Sequence, residues 1–327
     1  MRKVLVSSSH FDTLCQDAWK LFESNGIEVL FDPNKEFPAY TTEEIENLPQ
    51  REEIEAALIG MDDYRDERKF QALPNLKAVA KFGVGVDNID AEMAARHHVF
   101  TLNAPGQNSN AVAELTVAMM LSLPRHVVSL HKEVEAGLWP RFIGNELAGK
   151  TIGFLGFGAI ARLVAKKLQS FDVEVIAYDL YPNERAAEEL GVRMTTQEEV
   201  IQKSDFVSIH IPATPENYHF FNREMIASMK TGAYLLNLAR GTLVDLDAVA
   251  DALQLGKLAG AALDAFEEEP LPVDSPILRC KNIILTPHTG GETEESYHKI
   301  SMTTARDIIK VIQGGQPEHG MMGNVRR

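Results

Sequence analysis

The 327-residue sequence is poor in cysteine, in positive charge and in long apolar runs. Its two cysteines, Cys15 and Cys280, form no C-x-x-C pair and are too few for a disulfide framework. Reduced thiols of an intracellular protein are therefore expected. The 32 lysines and arginines are outnumbered by 47 aspartates and glutamates, and the formal net charge of -15 disfavours nucleic acid and anionic membranes as partners.

Membrane-directed segments are equally scarce. The apolar run Val4-Leu5-Val6 near the N-terminus is too short for the hydrophobic region of a signal peptide. The most apolar helical stretch, Val112 to Leu123, contains Glu114 and is shorter than the roughly 20 residues that cross a bilayer. A cytoplasmic protein is therefore expected, and no metal site is predicted.

What the sequence does contain is a regular alternation of short apolar runs and amphipathic helical windows, which predicts an α/β fold with parallel sheets. Predicted strands lie at Val4–Val6, Ile27–Phe31, Ala57–Ile59, Leu76–Ala80, Thr151–Leu155, Val173–Tyr178, Phe206–Ile209, Tyr234–Leu238, Ala261–Leu263 and Ile283–Leu285. The clearest predicted helices are Leu14–Asn25, Asn110–Leu123, Ala159–Leu168 and Glu292–Ile312.

The sharpest motif is Gly156-Phe157-Gly158-Ala159-Ile160-Ala161, which follows an apolar strand and begins a helical window. That context is the one a dinucleotide-binding fingerprint requires. Gly156 permits the tight turn, Gly158 lets the backbone approach a pyrophosphate, and Ala161 is small enough for helix–strand packing. The N–H groups at the start of the helix would then face the phosphates.

A carboxylate at the end of the next strand strengthens this interpretation. Asp179 follows Val173–Tyr178 at close to the spacing expected for a residue that binds the adenosine ribose hydroxyls. It would repel the 2′-phosphate of NADP, and the following Leu180-Tyr181-Pro182 supplies no arginine to bind that phosphate. The alternative is a solvated residue at a strand end. NAD is the predicted cofactor.

The chain is long enough for two domains. The sequence pattern changes near Asn103-Ala104-Pro105-Gly106, where a long apolar helical stretch follows. The last predicted helix has no further domain after it and could complete the first domain. We therefore predict two Rossmann-like, doubly wound parallel-sheet domains. The substrate domain is expected to be discontinuous, with residues 1–102 and 287–327, and the NAD-binding domain to comprise residues 103–286.

Three polar residues follow predicted strands, where ligands bind in parallel sheets. They are Arg240, Glu269 and His288. These three residue types suit reduction of a 2-keto acid. The cation would bind the substrate carboxylate, the imidazolium would donate a proton, and the glutamate would stabilise the imidazolium. Each residue has a structural alternative, since Arg240 could cap a helix, Glu269 could belong to a solvated acidic loop, and most of the ten histidines are expected to be surface or packing residues.

Six segments in order, the glycine motif among them, resemble the D-isomer-specific 2-hydroxyacid dehydrogenases, within them the phosphoglycerate-dehydrogenase-like branch. Besides the glycine motif, the resemblance rests on Lys81–Asp90, Asn103–Glu114, Asn237–Gly241, Leu263–Pro270 and Thr286–His288. It covers nearly the whole chain and implies an NAD-dependent enzyme whose catalytic trio is Arg240, Glu269 and His288.

The resemblance also implies binding positions. It predicts that backbone N–H groups of Gly83, Val84 and Gly85 bind the substrate carboxylate, as the N–H groups of glycine turns can bind anions. It also predicts that Asn108 lines the same cleft and that Asp264 binds the nicotinamide carboxamide. His210, Pro212 and Thr214 resemble the loop beside the adenine and ribose. The remaining predicted cofactor-binding positions are Gly156, Gly158, Ala159, Ile160, Asp179, Leu238, Ala239, Gly290 and Gly291.

The substrate is left open by the motifs. Lys81 stands where phosphoglycerate dehydrogenases usually carry an arginine for the substrate phosphate, and lysine lacks its bidentate geometry. D-3-phosphoglycerate/3-phosphohydroxypyruvate is the first expectation, followed by hydroxypyruvate or glyoxylate and then by a D-lactate-type activity. A different class, an NADH-binding corepressor-like protein, is the less favoured alternative. A homodimer through the region of Asn110–Leu123 is also expected.

Overall fold

The computed structural model describes residues 2–35 and 39–321. Its strands are β1 (Arg2–Ser7), β2 (Ile27–Leu30), β3 (Ile54–Ile59), β4 (Ala78–Lys81), β5 (Phe100–Leu102), β6 (Thr151–Leu155), β7 (Glu174–Tyr178), β8 (Val192–Met194), β9 (Phe206–Ile209), β10 (Ala233–Asn237), β11 (Leu258–Leu263) and β12 (Ile283–Leu285).

Thirteen α-helices are present in the described residues. They are α1 (Phe11–Leu14), α2 (Gln16–Ser24), α3 (Thr42–Glu46), α4 (Glu67–Ala72), α5 (Ala91–Arg96), α6 (Ser109–Ser122), α7 (Val127–Glu135), α8 (Ala159–Leu168), α9 (Glu184–Leu190), α10 (Gln197–Lys203), α11 (Arg223–Ser228), α12 (Leu246–Gln254) and α13 (Glu294–Ile312).

The chain divides into two compact units. The first comprises the described residues of Met1–Asn108 and Glu292–Arg327, and the second is Ser109–Gly291. In the first unit, five parallel strands have the order β2-β1-β3-β4-β5. The last helix, α13, belongs to this unit, where Ile308 packs in one core with Phe22 of α2 and Val4 of β1.

Alternation along the strands of the first unit explains its two-sided core. Val4 and Val6 contribute to the cluster that includes α2 and α13, whereas Leu5 belongs to the cluster with α3, α4 and α5. Successive side chains of a strand point to opposite faces, so a strand covered on both faces is apolar throughout. The near-continuous apolar runs that predicted these strands follow from this burial.

The second unit has seven parallel strands in the order β12-β11-β10-β9-β6-β7-β8. From β6 the chain adds β7 and β8 on one side and then β9 to β12 on the other, so the winding reverses between β6 and β9. Ligands of open parallel sheets bind at the carboxyl ends of strands beside such a reversal. The predicted doubly wound fold in two parallel-sheet domains is confirmed.

Some predicted boundaries were wrong for local reasons. The helix predicted at Leu14–Asn25 is interrupted at Cys15, whose φ of −117° and ψ of 31° lie outside the helical region. The last helix begins at Glu294 because the Thr293 side chain accepts a hydrogen bond from the Ser296 N–H. The sequence analysis missed β5 and β8, which are three residues long and give too little periodicity.

Among the described residues, no single helix is long and apolar enough to span a membrane. Only the pair α6 and α7, which meet at a 68° bend, passes that test together, on length and composition alone.

Candidate active site

Three neighbouring strands of the second unit carry the predicted catalytic residues. Arg240 follows β10, Glu269 follows β11 and His288 follows β12, and these strands are paired in parallel as β12-β11-β10. Since carboxyl ends of parallel strands share one edge of the sheet, residues about fifty positions apart in sequence reach a common region.

Glu269 and His288 are in direct contact. Nδ1 of His288 lies 3.0 Å from both Oε1 and Oε2 of Glu269, and Oε1 also accepts the N–H of Phe266 at 2.9 Å. Burial alone would raise the pKa of the Glu269 carboxyl, but the bonds from His288 and Phe266, with the charges of His288 and Arg240, lower it below its ordinary value. Glu269 is therefore an anion that faces the imidazole.

The family resemblance assigned Glu269 among three consecutive glutamates, and the structure shows what each of the three contacts. Glu267 contacts Tyr218 and His219, at 2.6 Å and 2.9 Å. Glu268 is exposed. Glu269 is the one that the structure brings to His288.

A buried carboxylate anchors the loop that bears His288. Asp264, at the end of β11, is 2% exposed. Its oxygens accept the hydroxyl of Thr286 at 2.6 Å and the N–H groups of Thr289 and Gly290 at 2.8 Å each. His288 itself adopts a left-handed backbone conformation with φ of 56°. Asp264 thus has a structural role, anchoring the His288 loop, that was not predicted from the sequence. The predicted contact with the nicotinamide carboxamide would be a second role.

Asn237 fixes the turn that carries Arg240. Its Nδ2 donates to the carbonyl of Arg240 at 2.8 Å, and its Oδ1 accepts the N–H of Ala239 at 3.1 Å. Nη1 of Arg240 donates to the Ala239 carbonyl at 2.8 Å. Asn237 is 1% exposed, and its place in the motif Asn237–Gly241 was the sequence signal for a role that was not predicted.

The glycine turn has the backbone that a pyrophosphate requires. Gly156 has a φ of +91°, and a Cβ there would lie 2.6 Å from the His210 carbonyl oxygen, so only glycine fits. Gly158 precedes α8 without a side-chain cap, and a Cβ on it would meet no atom within 4 Å. The first N–H groups of α8, at Ala159 and Ile160, thus border open space, which fits a bound phosphate.

Asp179, which directly follows β7, also holds the glycine turn in place. Its Oδ2 accepts the N–H of Phe157 at 2.7 Å, and its Oδ1 accepts the N–H of Tyr181 at 2.8 Å. Each carboxylate oxygen retains a second lone pair for a ribose hydroxyl. The sequence analysis predicted a contact with ribose but not this link to the glycine turn.

His210 directly follows β9 and lies beside the same turn. Its Nε2 lies 3.0 Å from the Ser208 hydroxyl, and burial lowers the pKa of His210 to about 4, so the ring is neutral near pH 7. Thr214 starts a short 3₁₀ helix, Pro215–Asn217. Pro212 precedes it, and its carbonyl accepts from Asn217 Nδ2 at 2.7 Å.

The remaining predicted cofactor-binding positions lie at the ends of other strands of the second unit. Leu238 is 8% exposed and packs in the apolar core beside Val112 and Phe154. Gly290 is buried, and a Cβ on it would lie 2.9 Å from Asp264 Oδ2. Gly291 is the last residue of this unit.

Comparison with known proteins identifies the family. Residues 117–290 match the family model described as "D-isomer specific 2-hydroxyacid dehydrogenase, NAD binding domain". The chain belongs to the D-isomer-specific 2-hydroxyacid dehydrogenases. It is an NAD-dependent oxidoreductase, as the resemblance implied, and the matched residues place NAD binding in the second unit.

Individual relatives of this dehydrogenase carry different names. A glyoxylate reductase of Thermofilum pendens is 37% identical over 297 residues, covering 89% of this chain and 87% of the relative. A D-3-phosphoglycerate dehydrogenase of Methanocaldococcus jannaschii is 38% identical and covers 98% of this chain, which spans only 59% of that protein. The apo-structure of D-lactate dehydrogenase from Escherichia coli is 28% identical, with a TM-score of 0.86 over 98% of this chain and 100% of that one.

The predicted substrate-binding residues of the dehydrogenase lie in the first unit. The carbonyls of Gly83 and Val84 accept hydrogen bonds from the Ala104 N–H and the Asn103 side chain, each at 2.8 Å. Within residues 2–35 and 39–321, the N–H groups of Val84 and Gly85 donate to no other residue, so the turn has donors for an anion. Asn108 is partly buried.

Glu269→Gln should move the pH profile of keto-acid reduction toward lower pH. The lowered pKa keeps Glu269 anionic near neutral pH, and a carboxylate that faces an imidazole stabilises the positive charge needed for proton donation. In Glu269→Gln this anion is absent. As pH is raised, kcat/KM should therefore begin to fall at a lower pH than in the wild-type enzyme. Glu268→Gln is the matched control and should leave the profile unchanged. An unchanged profile in Glu269→Gln would exclude the assigned coupling.

Proposed function

We propose that this dehydrogenase reduces a small 2-keto acid to the D-2-hydroxy acid, with His288 as the proton donor. The observation that carries the proposal is the contact of His288 Nδ1 with both oxygens of Glu269. Because Nδ1 is engaged, Nε2 is the atom that donates the proton to the substrate oxygen. NADH, when bound, supplies the hydride at nicotinamide C4.

Arg240 has the complementary role in this proposal. Its guanidinium binds the substrate carboxylate and polarises the keto oxygen, on which negative charge grows during reduction. Asn237 supports that role because it fixes the backbone on both sides of the arginine. We propose further that the first unit, Met1–Asn108 and Glu292–Arg327, is the substrate domain, for which the sequence predicted residues 1–102 and 287–327. In this proposal the N–H groups of Val84 and Gly85 bind the substrate carboxylate, whereas the Gly83 N–H already donates to the Lys81 carbonyl at 2.9 Å, and Asn108 contributes to substrate binding.

We infer that the substrate is unphosphorylated, with glyoxylate or hydroxypyruvate ahead of 3-phosphohydroxypyruvate. Lys81 is the cation that the sequence offers to a phosphate, and its Nζ already donates to the Gly60 carbonyl at 2.5 Å. Two acidic residues, Asp62 and Asp63, follow Gly60 in the sequence. Arg65, which follows, is paired with Asp63 through two bonds of 2.8 Å. This reverses the order expected from sequence.

NADH oxidation with a panel of 2-keto acids tests both the proposed keto-acid reduction and the preference for an unphosphorylated substrate. Glyoxylate or hydroxypyruvate should give a kcat/KM at least about 10-fold above that for 3-phosphohydroxypyruvate, roughly the cost of one poorly bound charged group. Lys81→Met should reduce the two activities by similar factors. A preference for the phosphorylated acid that Lys81→Met abolishes would establish the phosphate-binding alternative, and no turnover of any keto acid would contradict the catalytic proposal.

Asp179 should make the enzyme prefer NADH over NADPH by about 10²-fold or more in kcat/KM, because a carboxylate repels a 2′-phosphate in a desolvated site. Asp179→Asn removes the charge but keeps an oxygen for the Phe157 N–H, so it should relax the preference and retain NADH binding. Asp179→Ala should also weaken NADH binding, since the glycine turn loses its anchor. Equal use of both cofactors by the wild-type enzyme would refute this role.

We propose that the enzyme is a cytoplasmic homodimer that assembles through α7 and the segment after it. Half of the residues of the predicted dimer helix, α6, are buried in its own unit. The adjoining segment exposes large apolar side chains, with Trp139 83% and Ile143 93% exposed; the others are Val127, Val134, Leu138 and Phe142. Both cysteines are free, which supports a reducing compartment.

Light scattering at micromolar concentration should give twice the mass of one chain. Trp139→Lys combined with Ile143→Lys should shift the protein to monomers, because two charges replace the apolar contact. Val273→Lys, at a side chain that is 95% exposed elsewhere, is the control and should remain dimeric. A wild-type monomer would reject the proposed assembly.

A further inference from the structure

Glu267, two residues before Glu269, makes a separate set of contacts. The hydroxyl of Tyr218 donates to its Oε1 at 2.6 Å, and Nε2 of His219 donates to its Oε2 at 2.9 Å. The rings of Tyr218 and His219 are stacked, with centroids 4.0 Å apart and planes 16° apart. The bonds from Tyr218 and His219 lower the pKa of Glu267, so this carboxylate is anionic where the enzyme is expected to work.

The turn that carries Tyr218 and His219 is joined by hydrogen bonds to the chain that follows Arg240. The N–H of His219 donates to the Thr242 carbonyl, and the N–H of Phe221 donates to the Leu243 carbonyl, both at 2.8 Å. The side chains that bind Glu267 are therefore fixed by backbone hydrogen bonds to the Arg240 turn.

The Arg240 turn also lies directly against the Glu267 loop. A Cβ on Gly241 would be 1.9 Å from the Phe266 carbonyl carbon and 2.2 Å from the Glu267 nitrogen, so two backbones touch where Gly241 has no side chain. On the other side of the same loop, the Phe266 N–H donates to Glu269 Oε1 at 2.9 Å. The Arg240 turn, the turn with Tyr218 and His219, and the Glu267 loop therefore contact one another in a closed circuit. The Phe266 N–H then links this circuit to Glu269.

We propose that Glu267 is a positioning residue that, through Tyr218 and His219, holds the Arg240 turn in register with the Glu269–His288 pair. The inference rests on the catalytic roles proposed above. The side chains of His219 and Glu267 are 32% and 48% exposed, so their contacts contribute little to global stability. Their effect is on geometry, since displacement of catalytic groups by about 1 Å can cost up to about 10²-fold in rate.

The test compares Glu267→Ala with Glu268→Ala, its exposed neighbour for which the described residues provide no hydrogen bond or ion pair. Glu267→Ala should lower kcat about 10-fold, with the NADH Kd, measured by fluorescence, and the Tm close to wild type. Glu267→Gln keeps an acceptor for Tyr218 and a hydrogen-bonding group for His219, so it should recover most of kcat. Glu268→Ala should retain wild-type kcat.

A second variant, Tyr218→Phe, keeps the stack with His219 but removes the hydroxyl that donates to Glu267. It should lower kcat about threefold, and the double variant with Glu267→Ala should lose no more than Glu267→Ala alone, since both changes break one contact. Wild-type kcat in both single variants, or additive losses, would overturn the inference. If His288→Ala and Glu269→Gln, assayed in parallel, also kept full activity, the proposed catalytic roles would be the part at fault.

Discussion

His288→Ala should lower kcat for keto-acid reduction by ~10²–10⁴-fold, the usual contribution of a general acid. The proton that neutralises the growing alkoxide then comes from water. Binding of NADH should change little, because Asp264 anchors the Thr286–Gly290 loop independently of the imidazole. The loss should therefore appear in kcat, with the NADH Kd near wild type.

The backbone of His288 makes a second substitution necessary as a control. With φ of 56° the residue lies in the left-handed region, where asparagine is more easily accommodated than alanine. His288→Asn should show the same loss of kcat with less disturbance of the loop. If either variant retained more than about a tenth of wild-type kcat, a loss well below that expected for a general acid, His288 would not be the proton donor.

Arg240→Ala should affect KM and kcat together and lower kcat/KM by about 10²–10³-fold, which corresponds to the loss of a charge-assisted contact in a desolvated site. The carboxylate of the substrate loses its cation in the ground state, and the keto oxygen loses its stabilisation as charge develops. The turn should persist, since Asn237 bonds the backbone rather than the guanidinium. Steady-state kinetics with glyoxylate and with hydroxypyruvate measures both parameters.

Arg240→Lys separates charge from geometry. Lysine keeps the positive charge but loses the planar fork that binds a carboxylate through two bonds, so its kcat/KM should lie between those of wild type and Arg240→Ala. A raised KM with unchanged kcat in Arg240→Ala would limit the residue to carboxylate binding. An unchanged KM would contradict its role as the carboxylate anchor.

Much of the fold was predictable because its strands are covered on both faces. Phe206–Ile209 and Thr151–Leu155 are apolar along nearly their whole length, and the structure has strands at those bounds. The short strands β5 and β8 were not predictable in this way, because three residues carry no usable period. The helix predicted at Leu14–Asn25 is apolar at the right spacing, and its interruption at Cys15 is a backbone event that side-chain pattern does not report.

The sequence by itself determined which residue types are available for the chemistry, because a glycine turn after an apolar strand, a carboxylate at the next strand end and the motifs of the trio are all local features. Only the tertiary structure decided how these groups pair. The contact of Glu269 with His288, and the hydrogen bond that the Phe157 N–H donates to Asp179, join separate strand ends. Such contacts depend on the order β12-β11-β10 and on the pairing of β6 with β7, which long-range packing sets and local spacing does not encode.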